Sequence, residues 1–377
     1  MTQCHCERSE AISATTACAS GGDCFVALRA PRNDRRGDAK VVVLAATLLA
    51  LTLPALAQTS PDRPWLDPSL LPAARAEGAL VVYSSINEQE GLPLWKIFEE
   101  TTGIKVAYVR ASDTVLMSRV AIEFRADQRS WDIILTTTVN KLPPQLLAAV
   151  DPPEAPQIAP AARDPGRRWY GVYANYNAPA YNTRLVQRAE LPRSYDEFLQ
   201  HKEWAGRVAI DATDNEWLRA IYEHYGEERG QKLVKDLVAT LNPVVTDGHL
   251  ALARAVGAGE YAIALNNYVN LTMNVKLAGG HTDFWALDPV ALFFGQVGVS
   301  AKAPHPNAAR LAANFALSRE GQSFLAKFGR LPTRADVAAN PPGVIEALTA
   351  RKVVSVLLNP DEEKKWQRAF DGLFRRR

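Results

Sequence analysis

Cysteine is nearly absent from this chain of 377 residues: there are four, Cys4, Cys6, Cys18 and Cys24, all within the first 24 positions. Beyond them neither a disulfide framework nor thiol chemistry is available. A zinc site from Cys4, His5, Cys6, Cys18 and Cys24 would need a spacing that matches no standard pattern. Excess charge of one sign is also missing, since the formal net charge is +2, and after residue 57 the one basic cluster is the terminal Arg375-Arg376-Arg377. Nucleic acid, which asks for a basic face, is therefore not an expected partner. No apolar run after residue 57 is long enough to span a bilayer. GxSxG, HExxH and P-loop motifs are lacking. The glycine-rich stretch Gly257–Ala262 precedes a strand, where a dinucleotide fingerprint must follow one.

What the chain does carry near its start is VVVLAATLLALTLPALA over residues 41–57, closed by Ala55-Leu56-Ala57 and flanked by Arg35, Arg36 and Lys40. This reads as a cleavable export signal. A membrane anchor is the rival, but Pro54 interrupts the run and its length is marginal for spanning. Residues 1–40, with no sustained periodicity, read as an extension produced by a misassigned start codon. About 320 residues then remain, more than one core usually supports, so two lobes are expected.

From residue 79 the pattern alternates. Apolar strands are expected at 79–83, 104–109 and 131–135, with helices over 91–102 and after Ser112-Asp113 between them, an order that argues an α/β layer with a largely parallel sheet. A Pro-rich connection over 143–165 leads to the strand 169–176 and a helix carrying Phe198 and Leu199. A second unit then begins, with strands at 207–210 and 261–265 and Leu/Val-rich helices over 216–257. The apolar stretch 291–299 precedes helices at 307–318, 320–328 and 361–373. The last of these, with Trp366, Phe370 and Phe374 at helical spacing, is expected to pack on the first lobe.

Strand after strand ends in small polar residues: Ser84-Ser85, Ser112-Asp113, Thr136 to Thr138, Asp211 to Asn215, and Asn266-Asn267-Tyr268. Each group serves equally well as an ordinary cap or turn. Together they fit the rule that α/β sheets bind ligands beyond the carboxyl ends of their strands. Arg110 offers either a bidentate clamp for an anion or a surface ion pair. Among the histidines, His201 and His224 have charged neighbours on expected helices and His305 sits between prolines, leaving His249 near the cleft. Tyr173 and Tyr176 fall near the expected hinge.

The segments YVRASD (108–113), YNT (181–183), GEYAI (259–263), APHPNAA (303–309) and LSREGQ (317–322) resemble the periplasmic substrate-binding proteins of ABC importers, in the branch usually labelled ferric-iron binding. The resemblance covers nearly all of residues 78–335. It implies a two-lobed type II periplasmic binding fold, with residues 58–173 and 287–377 as lobe 1, 174–286 as lobe 2, hinge strands between them and a ligand cleft. It further implies no enzyme activity, no cofactor, a monomer, a periplasmic location and an ABC permease as partner.

Mapped residue by residue, the resemblance places anion contacts at Thr213, Asp214, Asn215, Gly248, His249 and Asn266. It implies a ferric site that is incomplete. The usual tyrosine pair reads Tyr268-Val269, the expected histidine is Asn87, beside Glu88, and the carboxylate is Asp113. Ferric iron favours several anionic oxygens, so Tyr83, Tyr176 or a bound anion would have to contribute. The expected ligand is thus a small, anionic organic solute (a phosphonate, phosphate ester or carboxylate) contacted by Ser84, Ser85, Asn87, Arg110, Ser112, Asp113, Thr136, Thr137, Tyr176, Thr213, Asp214, Asn215, Gly248, His249, Asn266, Asn267 and Tyr268. Asp214 suits an amine on that solute. The alternatives are ferric iron, held by Tyr268, Asp113 and Glu88, and a secreted enzyme on the same scaffold.

Overall fold

The computed structural model describes residues 63–375. The N-terminal extension, the export signal and the four cysteines lie outside them. In chain order, α1 (Leu71–Glu77), β1 (Ala79–Ser84), α2 (Glu88–Thr102), β2 (Lys105–Arg110), α3 (Asp113–Arg125) and β3 (Ile133–Thr136) build the first layer. The long strand β4 (Trp169–Asn182) leads to β5 (Val208–Asp211), α4 (Asn215–Tyr225), α5 (Glu227–Leu241), β6 (Val244–Thr246), α6 (His249–Ala258), β7 (Ile263–Tyr268), α7 (Val269–Leu277) and β8 (Thr282–Phe284). The return comprises β9 (Val290–Val299), α8 (Pro306–Leu317), α9 (Arg319–Ala326), β10 (Leu331–Pro332), α10 (Val344–Thr349), β11 (Val353–Ser355) and α11 (Pro360–Phe374).

The strands join in the order β2-β1-β3-β9-β4-β7-β5-β6, with β8 and β10 on β4 and β11 on β9. Strands linked by helical crossovers, β1 with β2 and β3 and β5 with β6 and β7, pair in parallel. The middle is antiparallel: β9 pairs with β3 on one side and β4 on the other, and β4 pairs with β7. The two α/β lobes thus share the hinge strands β4 and β9. Every residue of both strands is buried, which explains their near-continuous apolar and aromatic sequence.

Two large apolar clusters lie on either side of this crossing. One gathers Leu80, Val82, Leu94, Phe98 and Phe315 with the hinge residues Tyr176 and Phe294; the other gathers Val208, Trp217, Ile221, Leu237 and Phe370. Helix α11 belongs to the second cluster, packing Trp366 and Phe370 against α4 and α5. This corrects the expectation that it packs on the first lobe. Its apolar stripe was legible, but a stripe does not name the surface that covers it. The helix expected around Phe198 is a short 3-10 turn, Asp196–Gln200, and β6 interrupts the helical region read over 216–257.

Phe370 is fully buried. Phe370→Ala is expected to cost about 3 kcal/mol of unfolding free energy, measurable by urea denaturation. A change within experimental error would show that α11 contributes little to the second lobe.

Candidate functional site

Between the lobes lies a cleft of about 640 Å³. Its first wall comes from the start of α3 and the turn after β3: Ser112, Asp113, Thr114, Met117, Thr137, Thr138 and Lys141. The second comes from the start of α4 and the end of β7, with Thr213, Asn215, Glu216 and Tyr268, and α11 closes the side with Pro360, Glu363 and Gln367. These are the carboxyl ends of strands and the N-termini of helices, as the polar endings in the sequence suggested.

Local chemistry fixes each side chain. Ser112 caps α3 by accepting from the Val115 N–H, which sets Asp113 in the first helical turn. Thr137 donates to Asp113 Oδ2, while Asp113 Oδ1 is buried without a hydrogen-bond partner. Across the cleft, Asp211 organises the opposite wall: its Oδ1 accepts from the backbone N–H and hydroxyl of Thr213 at 2.9 and 2.6 Å, and its Oδ2 from the Gly248 N–H at 2.6 Å. Gly248 has φ of +98°, a conformation that favours glycine and aims that N–H at Asp211. Asn215 is 3% exposed, donates to Gln367 Oε1 at 3.4 Å and keeps its own Oδ1 unpartnered.

Several expected contacts stand one layer behind the wall. Asp214 and Asn266 are buried and joined by an Asn266 Nδ2 to Asp214 Oδ1 bond of 2.8 Å. His249 stacks on the Tyr268 ring with centroids 3.5 Å apart. Its Nδ1 donates to Asn267 Oδ1 at 3.0 Å, because a carboxamide oxygen only accepts. Asn267 in turn donates to Thr272. Asp214, His249, Asn266 and Asn267 therefore hold Tyr268 and the α4 N-terminus in place. Burial, reinforced by Asp211, pushes the Asp214 carboxyl well above the ordinary range. Burial lowers His249, against the pull of Asp211. Burial first, then the carboxylates of Glu216, Asp214, Asp211 and Asp113, raise the Tyr268 phenol well above its usual value.

Other expected residues do not reach the cleft. Ser84 is buried, donating to the Leu135 carbonyl and accepting from the Ile86 N–H; Ser85 donates its backbone N–H to the same carbonyl. Asn87 sits at the start of α2 against Glu90. Glu88 and Arg110 are exposed and outside the lining. Thr136 is bonded to Thr138. Tyr176 points into the first apolar cluster. The clamp read at Arg110 is therefore not formed.

Sequence reasoning missed Lys141, Glu216, Glu363 and Gln367. Lys141 Nζ lies 2.8 Å from Glu363 and 3.7 Å from Glu216, with its side chain only 9% exposed, so one ammonium ties the turn after β3 to both α4 and α11. Burial raises the Glu216 pKa, against the pull of Lys141. The nearest signal was the position of Lys141 one turn beyond the polar end of β3, but its partners are 75 and 222 residues away in sequence. Asn140 strengthens the same junction, donating its backbone N–H to Gln296 Oε1 at 2.8 Å and its Nδ2 to the Leu358 carbonyl at 3.1 Å.

The comparisons with known proteins agree with this architecture. A model of bacterial extracellular solute-binding proteins matches residues 143–350, more than half of the chain, and the chain belongs to that family. An Fe(3+)-binding periplasmic protein of Serratia marcescens is 25% identical over 303 residues, 76% of this chain and 88% of the relative. Among solved structures, iron-bound HitA from Pseudomonas aeruginosa has a TM-score of 0.63 at 22% identity, covering 79% of this chain and 98% of that one. AfuA from Actinobacillus pleuropneumoniae, with fructose-6-phosphate bound, has a TM-score of 0.66 at 20% identity, covering 79% and 99%. At these identities the structures establish the type II periplasmic binding fold.

Two outcomes test the geometry. Lys141→Met leaves Glu216 and Glu363 facing each other without their shared cation, so the ligand-free protein should open and its radius of gyration in small-angle scattering should rise; an unchanged radius would show that this pair does not hold the lobes. Asp214 binds its proton more tightly folded than unfolded, so its contribution to stability falls as pH rises from the ordinary aspartate range towards its raised folded value. Asp214→Asn should therefore lose less melting temperature than the parent between about pH 5 and about pH 8; parallel curves would count against the raised pKa.

Proposed function

We propose that the protein is the periplasmic solute receptor of an ABC importer, binding without turnover and presenting its closed form to a membrane permease. Its cargo is a small organic solute that combines an anionic head-group with hydrogen-bond donors such as an ammonium or hydroxyls. The observation that carries this reading is the pair of unpartnered oxygens in the cleft, Asp113 Oδ1 and Asn215 Oδ1. A buried acceptor left without a donor costs about 1–3 kcal/mol, and a donor-bearing solute removes that cost in the closed state alone. The lining carries three carboxylates, Asp113, Glu216 and Glu363, against the single ammonium of Lys141. A purely anionic solute would meet net repulsion. An amphoteric one can place its anion at Lys141 and the α4 N-terminus, which no side chain caps, and its donors at Asp113 and Asn215. By linkage, the solute drives closure only as far as its affinity for the closed form exceeds that for the open one.

Ferric iron is the second reading, supported by the names of the relatives and by the presence of Tyr268 and Asp113 in one lining. Against it, Val269 occupies the second tyrosine position and is fully buried, and Lys141 already lies between Glu216 and Glu363.

Calorimetric titration with an amino-alkyl phosphonate, a hexose phosphate and ferric citrate separates the readings. For an organic probe, Asp113→Asn should weaken binding about tenfold, or about 1.4 kcal/mol, with little change in melting temperature. Binding of ferric citrate alone, with a visible phenolate-to-iron absorption lost in Tyr268→Phe, would overturn the organic-solute reading. Chemical conversion of a bound probe would overturn the receptor reading in favour of an enzyme.

A further inference from the structure

The cleft has a floor that neither the polar strand ends nor the lining accounts for. Residues directly opposite on antiparallel strands project to the same face. Asn177 of β4 stands opposite Tyr268 of β7 and Ala291 of β9, and Asn175 stands opposite Phe293. The Tyr268 ring meets Phe293 edge-on at 5.2 Å, so Asn175, Asn177, Phe293 and Tyr268 share one face of the hinge, the face on which Tyr268 forms the cleft wall. The alternate residues Ala174, Tyr176 and Ala178 lie in the first apolar cluster, on the other face.

Asn175 and Asn177 are 2% and 1% exposed, and the carboxamide oxygen of each has no hydrogen-bond partner among the described residues. Buried polar atoms are nearly always satisfied. Two unsatisfied oxygens two residues apart, on a central strand of the sheet, are destabilising in a place where leucine, with as many side-chain heavy atoms, would carry no polar group. Their position beneath Tyr268 offers the compensation. We propose that Asn175 and Asn177 are the floor of the solute site and accept hydrogen bonds from hydroxyl or ammonium donors of the solute, so that the hinge strand itself takes part in selecting it. This rests on the receptor reading above. It also gives the hinge a direct part in closure, because a solute bonded to β4 is held by the element about which the lobes turn.

The test uses Asn175→Leu, Asn177→Leu and Asn177→Asp, each titrated calorimetrically with the amino-alkyl phosphonate, hexose phosphate and ferric citrate probes and melted thermally. The expected result is a leucine variant that melts at or above the parent temperature yet binds the parent's probe at least tenfold more weakly, with Asn177→Asp, which keeps an acceptor oxygen, recovering most of the affinity. Should a leucine variant fail to fold, loss of affinity in a folded Asn177→Asp that offers the same oxygen would overturn the proposal. Leucine variants that bind like the parent overturn the floor and leave the receptor reading standing. A parent that binds none of the probes overturns the solute class, and the floor with it.

Discussion

The antiparallel pairing of β4 with β9 is the constraint on which the rest of this structure depends. Eight residue pairs, from Trp169↔Gly298 to Asn177↔Ala291, lock the two strands, and each strand has a neighbour in the opposite lobe, β3 for β9 and β7 for β4. Two parallel α/β units that would otherwise be separate domains thereby become lobes of one sheet, with the carboxyl ends of their strands brought towards a common cleft. Close packing at the crossing leaves little freedom: a Cβ on Gly295 would fall 2.0 Å from the Tyr173 ring. Relative lobe motion must come from twisting of these strands and from the contacts that bridge the gap around them.

The contact that bridges the gap is electrostatic, whereas the second wall is held from within by an aromatic stack. Lys141 reaches across to Glu216 and Glu363, while the stack of His249 on Tyr268 is anchored through Asn267. On the aromatic side burial opposes charge on Asp214, His249 and Tyr268 alike. A solute entering the cleft thus meets a preorganised wall on one side and an exchangeable ion pair on the other, an arrangement in which binding energy can be coupled to closure.

Much of the fold was legible in the sequence because local pattern and tertiary role coincide. The apolar strand of residues 79–83, the capping Ser112 before α3 and the glycine stop at Gly103 are all decided within a few residues. The site was legible only in part. Ser112, Asp113, Thr137, Thr213, Asn215 and Tyr268 line the cleft, as strand-end polarity suggested, but the same rule also selected Ser84 and Thr136, whose hydroxyls are engaged by Leu135 and Ile86 and by Thr138. Tyr176 was chosen for its place at the hinge, yet side chains alternate along a strand, and only the register of β4 against β7 and β9 puts its neighbours on the face of Tyr268. Lys141, Glu216 and Glu363 come from three distant stretches, and no spacing within the chain could have joined them.

What the cleft holds is shown most directly by native mass spectrometry with metal analysis of protein expressed from residue 58 and purified without chelators. A co-purified organic ion carrying both an anionic group and an amine or hydroxyls, with no iron, is the expected result. A stoichiometric ferric ion would contradict it, and would mean that Tyr268 and Asp113 gather metal ligands that this cleft does not present.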